Sequence, residues 1–220
     1  MVPLVLLFDA DGVLVDSEPI VNRVLAEMLR ELGLDATPDQ MDRLFKGSHI
    51  TETVAHVEVE LGRATPPDFV PEFRRRSAEA FQQDLVAVDG VHEAIRQLAE
   101  IPRAVVSNGP QEKMAVSLEL TGLVGCFESR LIFSAYDIEA WKPDPALFLH
   151  AARALGADPV HCVVIEDSVV GLEAAHAAGM RALAYHPGPG RPRRAWGATV
   201  FQHMEELPGL VRELVGSGRW

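Results

Sequence analysis

Residues 162–185, CVVIEDSVVGLEAAHAAGMRALAY, hold a complete structural unit within a few turns of chain. Cys162 to Ile165 is an apolar, β-branched run that reads as a buried strand. Glu166-Asp167-Ser168 ends it, and Ser168 stands where a helix N-cap belongs. Helical spacing then runs from Ser168 to Gly179, closed by a glycine of the kind helix C-termini favour. Arg181 to Tyr185 is a second short apolar run. Strand, helix and strand in that order argue two parallel strands joined by a crossover helix.

The same pattern extends outward. Val2 to Phe8, Arg103 to Ser107 and Arg130 to Ser134 are further strand candidates, and Val91 to Glu100, Gln111 to Gly122 and Asp144 to Gly156 carry helical spacing. The regularity breaks once: roughly 95 residues separate the first strand from the second, where one crossover needs only about a dozen. Residues from Ser17 to about Val86 show helical periodicity and no convincing strand. Ile20, Val24, Leu25, Met28, Leu29 and Leu32 mark one helix, Val54, Val57 and Leu61 another, and Phe69, Phe73 and Phe81 a third. The expectation is an α/β fold, a Rossmann-like doubly wound parallel sheet formed by residues 1–16 and 87–220, with a small all-helical cap domain inserted as residues 17–86. Linkers near Val15 to Ser17 and Asp84 to Gly90 would be its hinge, opening to admit substrate and closing to exclude water. A last amphipathic stretch lies near Met204 to Leu214.

Composition narrows the partners. The chain has 220 residues, 48% apolar and 24% charged, enough for a real core, and a formal net charge of −12 that opposes nucleic acid and anionic membrane. A small ligand is favoured instead, and a monomer or weak homodimer is expected. Val2 to Phe8 is too short to span a membrane and has no basic residue before it, so a cytoplasmic location is expected. Cys126 and Cys162 suggest neither a disulfide nor a metal site.

In an open parallel sheet ligands bind beyond the carboxyl ends of the strands. Those ends carry Asp9-Ala10-Asp11-Gly12, Ser107-Asn108-Gly109, Lys142-Pro143-Asp144-Pro145 after a loop, and Glu166-Asp167-Ser168. Asp9, Asp11, Glu166 and Asp167 would repel one another unless a cation sits among them, and a hard divalent ion such as magnesium resolves the conflict. Ser107, Asn108 and Lys142 suit phosphoryl oxygens. An aspartate nucleophile is ionised at neutral pH without a base to activate it. If the backbone stays extended past the strand, Asp9 and Asp11 face the same side, and Gly12 lets the chain turn away.

These four segments, in this order, resemble the four motifs of the haloacid dehalogenase superfamily, in its subgroup with a small helical cap (C1) after the first strand. The likeness covers the whole chain. It implies that Asp9 attacks the phosphoryl group and carries it as an aspartyl phosphate. Asp11 would act as general acid and base in turn. Ser107 and Lys142, with Asn108 beside them, would hold the phosphoryl oxygens. Asp9, the Asp11 main-chain carbonyl, Glu166 and Asp167 would bind magnesium, Glu166 directly or through water. Dehalogenating members lack the second acid of the first motif, so Asp11 argues against that branch. The β-phosphoglucomutase branch typically has a His shortly after that motif, where this chain reads Asp16-Ser17-Glu18-Pro19-Ile20-Val21. Val105 to Met114 and Trp141 to Phe148 look most like bacterial sugar-phosphate phosphatases, in particular those acting on 6-phosphogluconate. A phosphomutase and a non-catalytic phospholigand-binding protein are the rival readings.

Several residues have plainer explanations. Ser168, and Asp16 or Ser17 ahead of Pro19, suit helix capping. Lys46, Gly47, Ser48 and His49 form either a substrate-facing cap loop or a glycine-ended helix followed by a serine cap. Arg74, Arg75 and Arg76 point in different directions on a helix and fit a solvated face, and Arg191, Arg193 and Arg194 a surface loop. Trp141 and Met180 read as packing.

Overall fold

A computed structural model describes residues 4–45, 50–188 and 196–217. In chain order the elements are β1 (Val5–Phe8), α1 (Glu18–Glu31), α2 (Pro38–Phe45), α3 (Ile50–Leu61), α4 (Phe69–Asp84), α5 (Val91–Gln97), β2 (Arg103–Ser107), α6 (Gln111–Leu120), β3 (Ile132–Ser134), α7 (Ala135–Ile138), α8 (Ala146–Ala154), β4 (Cys162–Glu166), α9 (Val169–Ala177), β5 (Arg181–Tyr185), β6 (Thr199–Phe201) and α10 (Leu207–Ser217), with short 3₁₀ turns between some of them. The six strands form one sheet in the order β3-β2-β1-β4-β5-β6, every neighbouring pair parallel. This is the expected α/β architecture. Five strands match the apolar runs of the sequence. The sixth was not expected: its three residues lie on the sheet edge, too short for an alternating pattern to show.

By its internal contacts the chain falls into two compact units, residues 1–15 with 87–220, and residues 16–86. In the first, both faces of the sheet are covered, which is why its strands are apolar throughout rather than alternating. Val5, Leu7, Ala104, Val106, Cys162 and Val164 pack on one face against Leu147, Phe148, Ala151 and Ala152 of α8 and Ala174 and Ala175 of α9. On the other face Phe8 meets Phe127 edge-on, ring centroids 5.9 Å apart. Cys126 and Cys162 are free thiols, and burial pushes the Cys162 thiol up to about 11.

Among the described residues the second unit contains helices α1 to α4 and their connections. Its core contains much of the periodic set read from the sequence, Val24, Leu25, Met28 and Leu29 of α1 with Val57 and Phe69, and adds Met41 of α2, which that set did not include. Pro19 sits in the first turn of α1 with Ser17 at the N-cap, although the Ser17 side chain makes no capping bond. Arg75 pairs with Glu72 and Glu79, and Arg76 with Glu72 and Glu31, so both face acids of their own unit as a solvated surface would. Lys46 to His49, and the cluster of Arg191, Arg193 and Arg194, lie outside the described residues. No helix among the described residues is long and apolar enough to cross a membrane.

Leu7 is fully buried in the central strand, whereas Val59 on α3 is 78% exposed. Leu7→Ala should therefore cost about 3 kcal/mol in urea denaturation, and Val59→Ala less than about 0.5 kcal/mol.

Candidate active site

The strand order places β1 between β2 and β4, and that is where the direction of winding reverses. At such a switch point the loops leaving the carboxyl ends part and leave a crevice. Phe8 is in register with Ile165, and the Asp9 amide donates to the Ile165 carbonyl at 3.0 Å, so the next side chains on the two strands, Asp9 and Glu166, emerge side by side.

Between them lies a buried ammonium. Lys142 Nζ donates to Asp9 Oδ1 at 2.9 Å and to Glu166 Oε2 at 2.8 Å, and it stands 4.8 Å from the centre of the Phe148 ring. All three residues of the triad are buried, Glu166 completely. Burial alone would lower the Lys142 pKa, but the charges of Asp9 and Glu166 outweigh it and hold it above the usual lysine range. The Asp9 pKa is raised as well, up to about 7: burial is the main cause, Glu166 adds repulsion, Lys142 only partly compensates, and Asp11 contributes further repulsion.

Local backbone bonds set these side chains. Glu166 Oε1 accepts from the amides of Asp167 and Ser168, both at 3.1 Å, and from the Ser168 hydroxyl at 2.9 Å. Ser168 also caps α9 by accepting from the Gly171 amide at 3.1 Å, the capping role expected of it. With four donors on its two oxygens, Glu166 serves Lys142 and the start of α9 before anything else. Asn108, expected beside phosphoryl oxygens, sits next to Ser107 at the end of β2. Its side chain is spent on the Lys142 main chain, accepting from the Lys142 amide at 2.8 Å and donating to the Lys142 carbonyl at 3.3 Å. It latches the two loops together. Ser107 is buried, and its Oγ accepts from the Gly109 amide at 3.0 Å, tightening the loop it belongs to. Ser134 Oγ in turn donates to the Gly109 carbonyl at 2.7 Å.

Asp11 is not oriented by strand geometry, because β1 stops at Phe8. The segment after it turns: Leu14 and Val15 amides both donate to the Ala10 carbonyl, and Gly12 takes a φ of +75°. A Cβ on Gly12 would fall 2.3 Å from Asp167 Oδ2, so only glycine permits both the left-handed turn and the approach of Asp167.

Three residues of this site were not singled out from the sequence. Lys113, on the first turn of α6, reaches both oxygens of Asp11 at 2.7 Å. Gly171 lies against Glu166, where a Cβ would come within 1.9 Å of Oε2. Phe148 supplies the ring near Lys142. The only sequence signal for Lys113 and Gly171 is their place in the first turn of a helix that follows a loaded strand end.

Asp9, Glu166 and Asp167 each offer a carboxylate oxygen within 4.8 Å of the others, a group able to hold a metal ion. The donor set is all oxygen, burial and then the neighbouring Glu166 raise the Asp9 pKa, and the Gly12 turn leaves room for Asp167, all of which fit a hard divalent cation.

The haloacid dehalogenase-like hydrolase family model matches residues 6–185. The chain belongs to that family. The 6-phosphogluconate phosphatase of Escherichia coli K12 is 36% identical over 207 residues, 92% of either chain. Among solved structures, a conserved haloacid dehalogenase-like protein of unknown function from Agrobacterium tumefaciens C58 superposes with a TM-score of 0.85 at 32% identity, covering 97% of this chain and 99% of that one. A family hydrolase from Deinococcus radiodurans R1, solved with bound phosphate and sodium, gives 0.78 at 32% identity over 96% of both. The present protein is a phosphoric monoester hydrolase of this family.

Two measurements probe the site without substrate. The folded state binds the Asp9 proton more tightly than the unfolded chain does, since the pKa rises from 3.8 to about 7. That stabilisation is complete below the unfolded value and is lost as pH climbs through the folded one. Metal-free protein in chelator should therefore lose stability between about pH 4 and about pH 7, by at most about 4 kcal/mol from this group, and Asp9→Asn should remove that part of the slope. In an open helix Gly→Ala is worth up to about 1 kcal/mol of added stability. Gly171→Ala should instead destabilise by about 1–3 kcal/mol or more, because the methyl group displaces Glu166. Denaturation of the two variants beside the wild type reads both effects.

Proposed function

We propose that the protein is a magnesium-dependent phosphatase of a small phosphorylated metabolite, a sugar phosphate or phospho-sugar acid with 6-phosphogluconate as the first candidate, acting in the cytoplasm through an aspartyl phosphate on Asp9. The observation that carries this reading is the buried Lys142 ammonium shared by Asp9 and Glu166 at the switch point of the sheet. A lysine has three donor hydrogens, and two are taken by these acids, which leaves one for a phosphoryl oxygen drawn toward Asp9. Support for the substrate class comes from the Escherichia coli relative, named for 6-phosphogluconate, and from the phosphate bound in the Deinococcus radiodurans structure.

In the first half of the reaction an Asp9 carboxylate oxygen bonds to phosphorus and the phosphorus–oxygen ester bond breaks. Asp11 gives its proton to the departing alkoxide. In the second half water attacks phosphorus, Asp11 takes a proton from it, and the bond to Asp9 breaks, releasing phosphate and restoring the carboxylate. Lys142 and Ser107 hold the phosphoryl oxygens in line, and Asn108 acts by fixing the Lys142 main chain. Asp9, Asp167 and the Asp11 main-chain carbonyl would hold magnesium, with Glu166 adding its charge from the buried side. When bound, the ion supplies positive charge against the crowded carboxylates and the phosphoryl oxygens. The helical unit, residues 16–86, is proposed as the cap that selects the substrate.

Phosphate release from a panel of sugar phosphates, phospho-sugar acids, phosphoglycolate and an aryl phosphate tests the reading. Release should require magnesium, stop in chelator and fall to background in folded Asp9→Asn. Turnover that survives in Asp9→Asn or without a divalent ion would sink the mechanism. Substrate isomerisation without phosphate release would point to a mutase instead.

A further inference from the structure

We propose that Lys113 is the positioning residue for Asp11, holding its carboxylate where it can exchange a proton with the ester oxygen. The inference rests on the phosphatase reading above and deepens it. Strand alternation would have aimed Asp11 beside Asp9 had the chain stayed extended. It does not, because β1 ends at Phe8 and the segment from Asp9 to Val15 closes into a turn through the Ala10 carbonyl. The geometry of Asp11 then depends on side-chain contacts, and one of these is Lys113, whose Nζ lies 2.7 Å from each Asp11 oxygen. A single ammonium bonded to both oxygens limits how far the carboxylate can swing from it.

The location of the pair ties it to the chemistry. A Cβ placed on Gly109 would stand 3.7 Å from Asp11 Oδ2, 3.7 Å from Lys113 Cδ and 3.4 Å from Ser107 Oγ. The ion pair and the proposed phosphoryl-binding hydroxyl thus border the same glycine. Lys113 and Ser107 also belong to one strand-loop-helix segment, β2 into α6, so the element that presents the phosphoryl donor also sets the proton-transfer group. Both side chains of the pair are 28% exposed, open enough for a substrate to reach and sheltered enough that screening does not erase the contact.

The test exploits the leaving group. An alkoxide of a sugar needs a proton to depart, whereas a nitrophenolate does not, so a residue acting through Asp11 affects the two unequally. With magnesium present, kcat/KM, which reports the first half-reaction, is measured for the best sugar phosphate of the panel and for a nitrophenyl phosphate. Wild type, Lys113→Met and Lys113→Arg are compared, each also in an Asp11→Asn background. Lys113→Met should lose about 10- to 100-fold on the sugar phosphate and less than about threefold on the aryl phosphate, as loss of part of a general-acid contribution requires. Lys113→Arg should recover part of the sugar-phosphate loss. In the Asp11→Asn background the Lys113→Met loss on sugar phosphate should vanish, because two residues acting as one unit are non-additive. The ratio of the two substrates cancels any change in the folded fraction. Equal losses on both substrates, or an undiminished loss with Asp11→Asn, would overturn the inference and make Lys113 a phosphate ligand or a structural residue. Wild-type enzyme inactive on both substrates would instead remove the phosphatase reading, and this inference with it.

Discussion

A lysine ammonium buried between two carboxylates is the constraint on which the rest of the core unit depends. Lys142, Asp9 and Glu166 come from three separate segments of chain, and each charge is tolerable inside the protein only because the other two are present. Two anions around one cation leave a net negative charge in a buried place, and burial first, then the repulsion from Glu166, raise the Asp9 pKa. Carboxylates crowded in this way suit a hard divalent cation, which would offset their excess charge.

Much of the surrounding detail serves that triad. Asn108 contributes no charge, yet both ends of its amide hold the Lys142 main chain, so the loop that carries the lysine is fastened to the loop that carries Ser107. Glu166 is held by the amides that begin α9, and Ser168 serves both as its donor and as the cap of that helix. Gly171 and Gly12 are the two places where a methyl group would collide with a site carboxylate, one with Glu166 and the other with Asp167. Their lack of a side chain is a requirement of the charges, not of the helix or the turn alone.

The proposed nucleophile and the proposed acid–base group are separated by one residue yet are governed by different physics. Asp9 is fixed by the strand ladder, through its amide bond to Ile165, and by Lys142. Asp11 sits in a turn and meets a different lysine, on a different helix. Two lysines for two aspartates allow the pair to stand close while each keeps its own partner, which suits a reaction in which one must attack and the other must move a proton.

The fold was legible in the sequence because buried parallel strands are continuous apolar runs and their polar ends stand out against them. Val5–Phe8, Arg103–Ser107 and Cys162–Glu166 could be read that way, and the acids, serine and asparagine at their ends followed. Local patterns also marked the helices of residues 16–86, whose buried positions repeat with the helical period. The edge strand Thr199–Phe201 escaped because three residues carry no period. What the sequence by itself determined is which residue types arrive at the carboxyl end of the sheet. Only the tertiary structure decided who meets whom there. Lys142 reaches Asp9 across 133 positions and Lys113 reaches Asp11 across 102, contacts set by the strand order that puts β1 between β2 and β4. The diversion of Asn108 to the main chain, the saturation of Glu166 and the turn at Asp11 depend on the direction of individual side chains and backbone bonds. Periodicity records burial, and it carries no information about those directions.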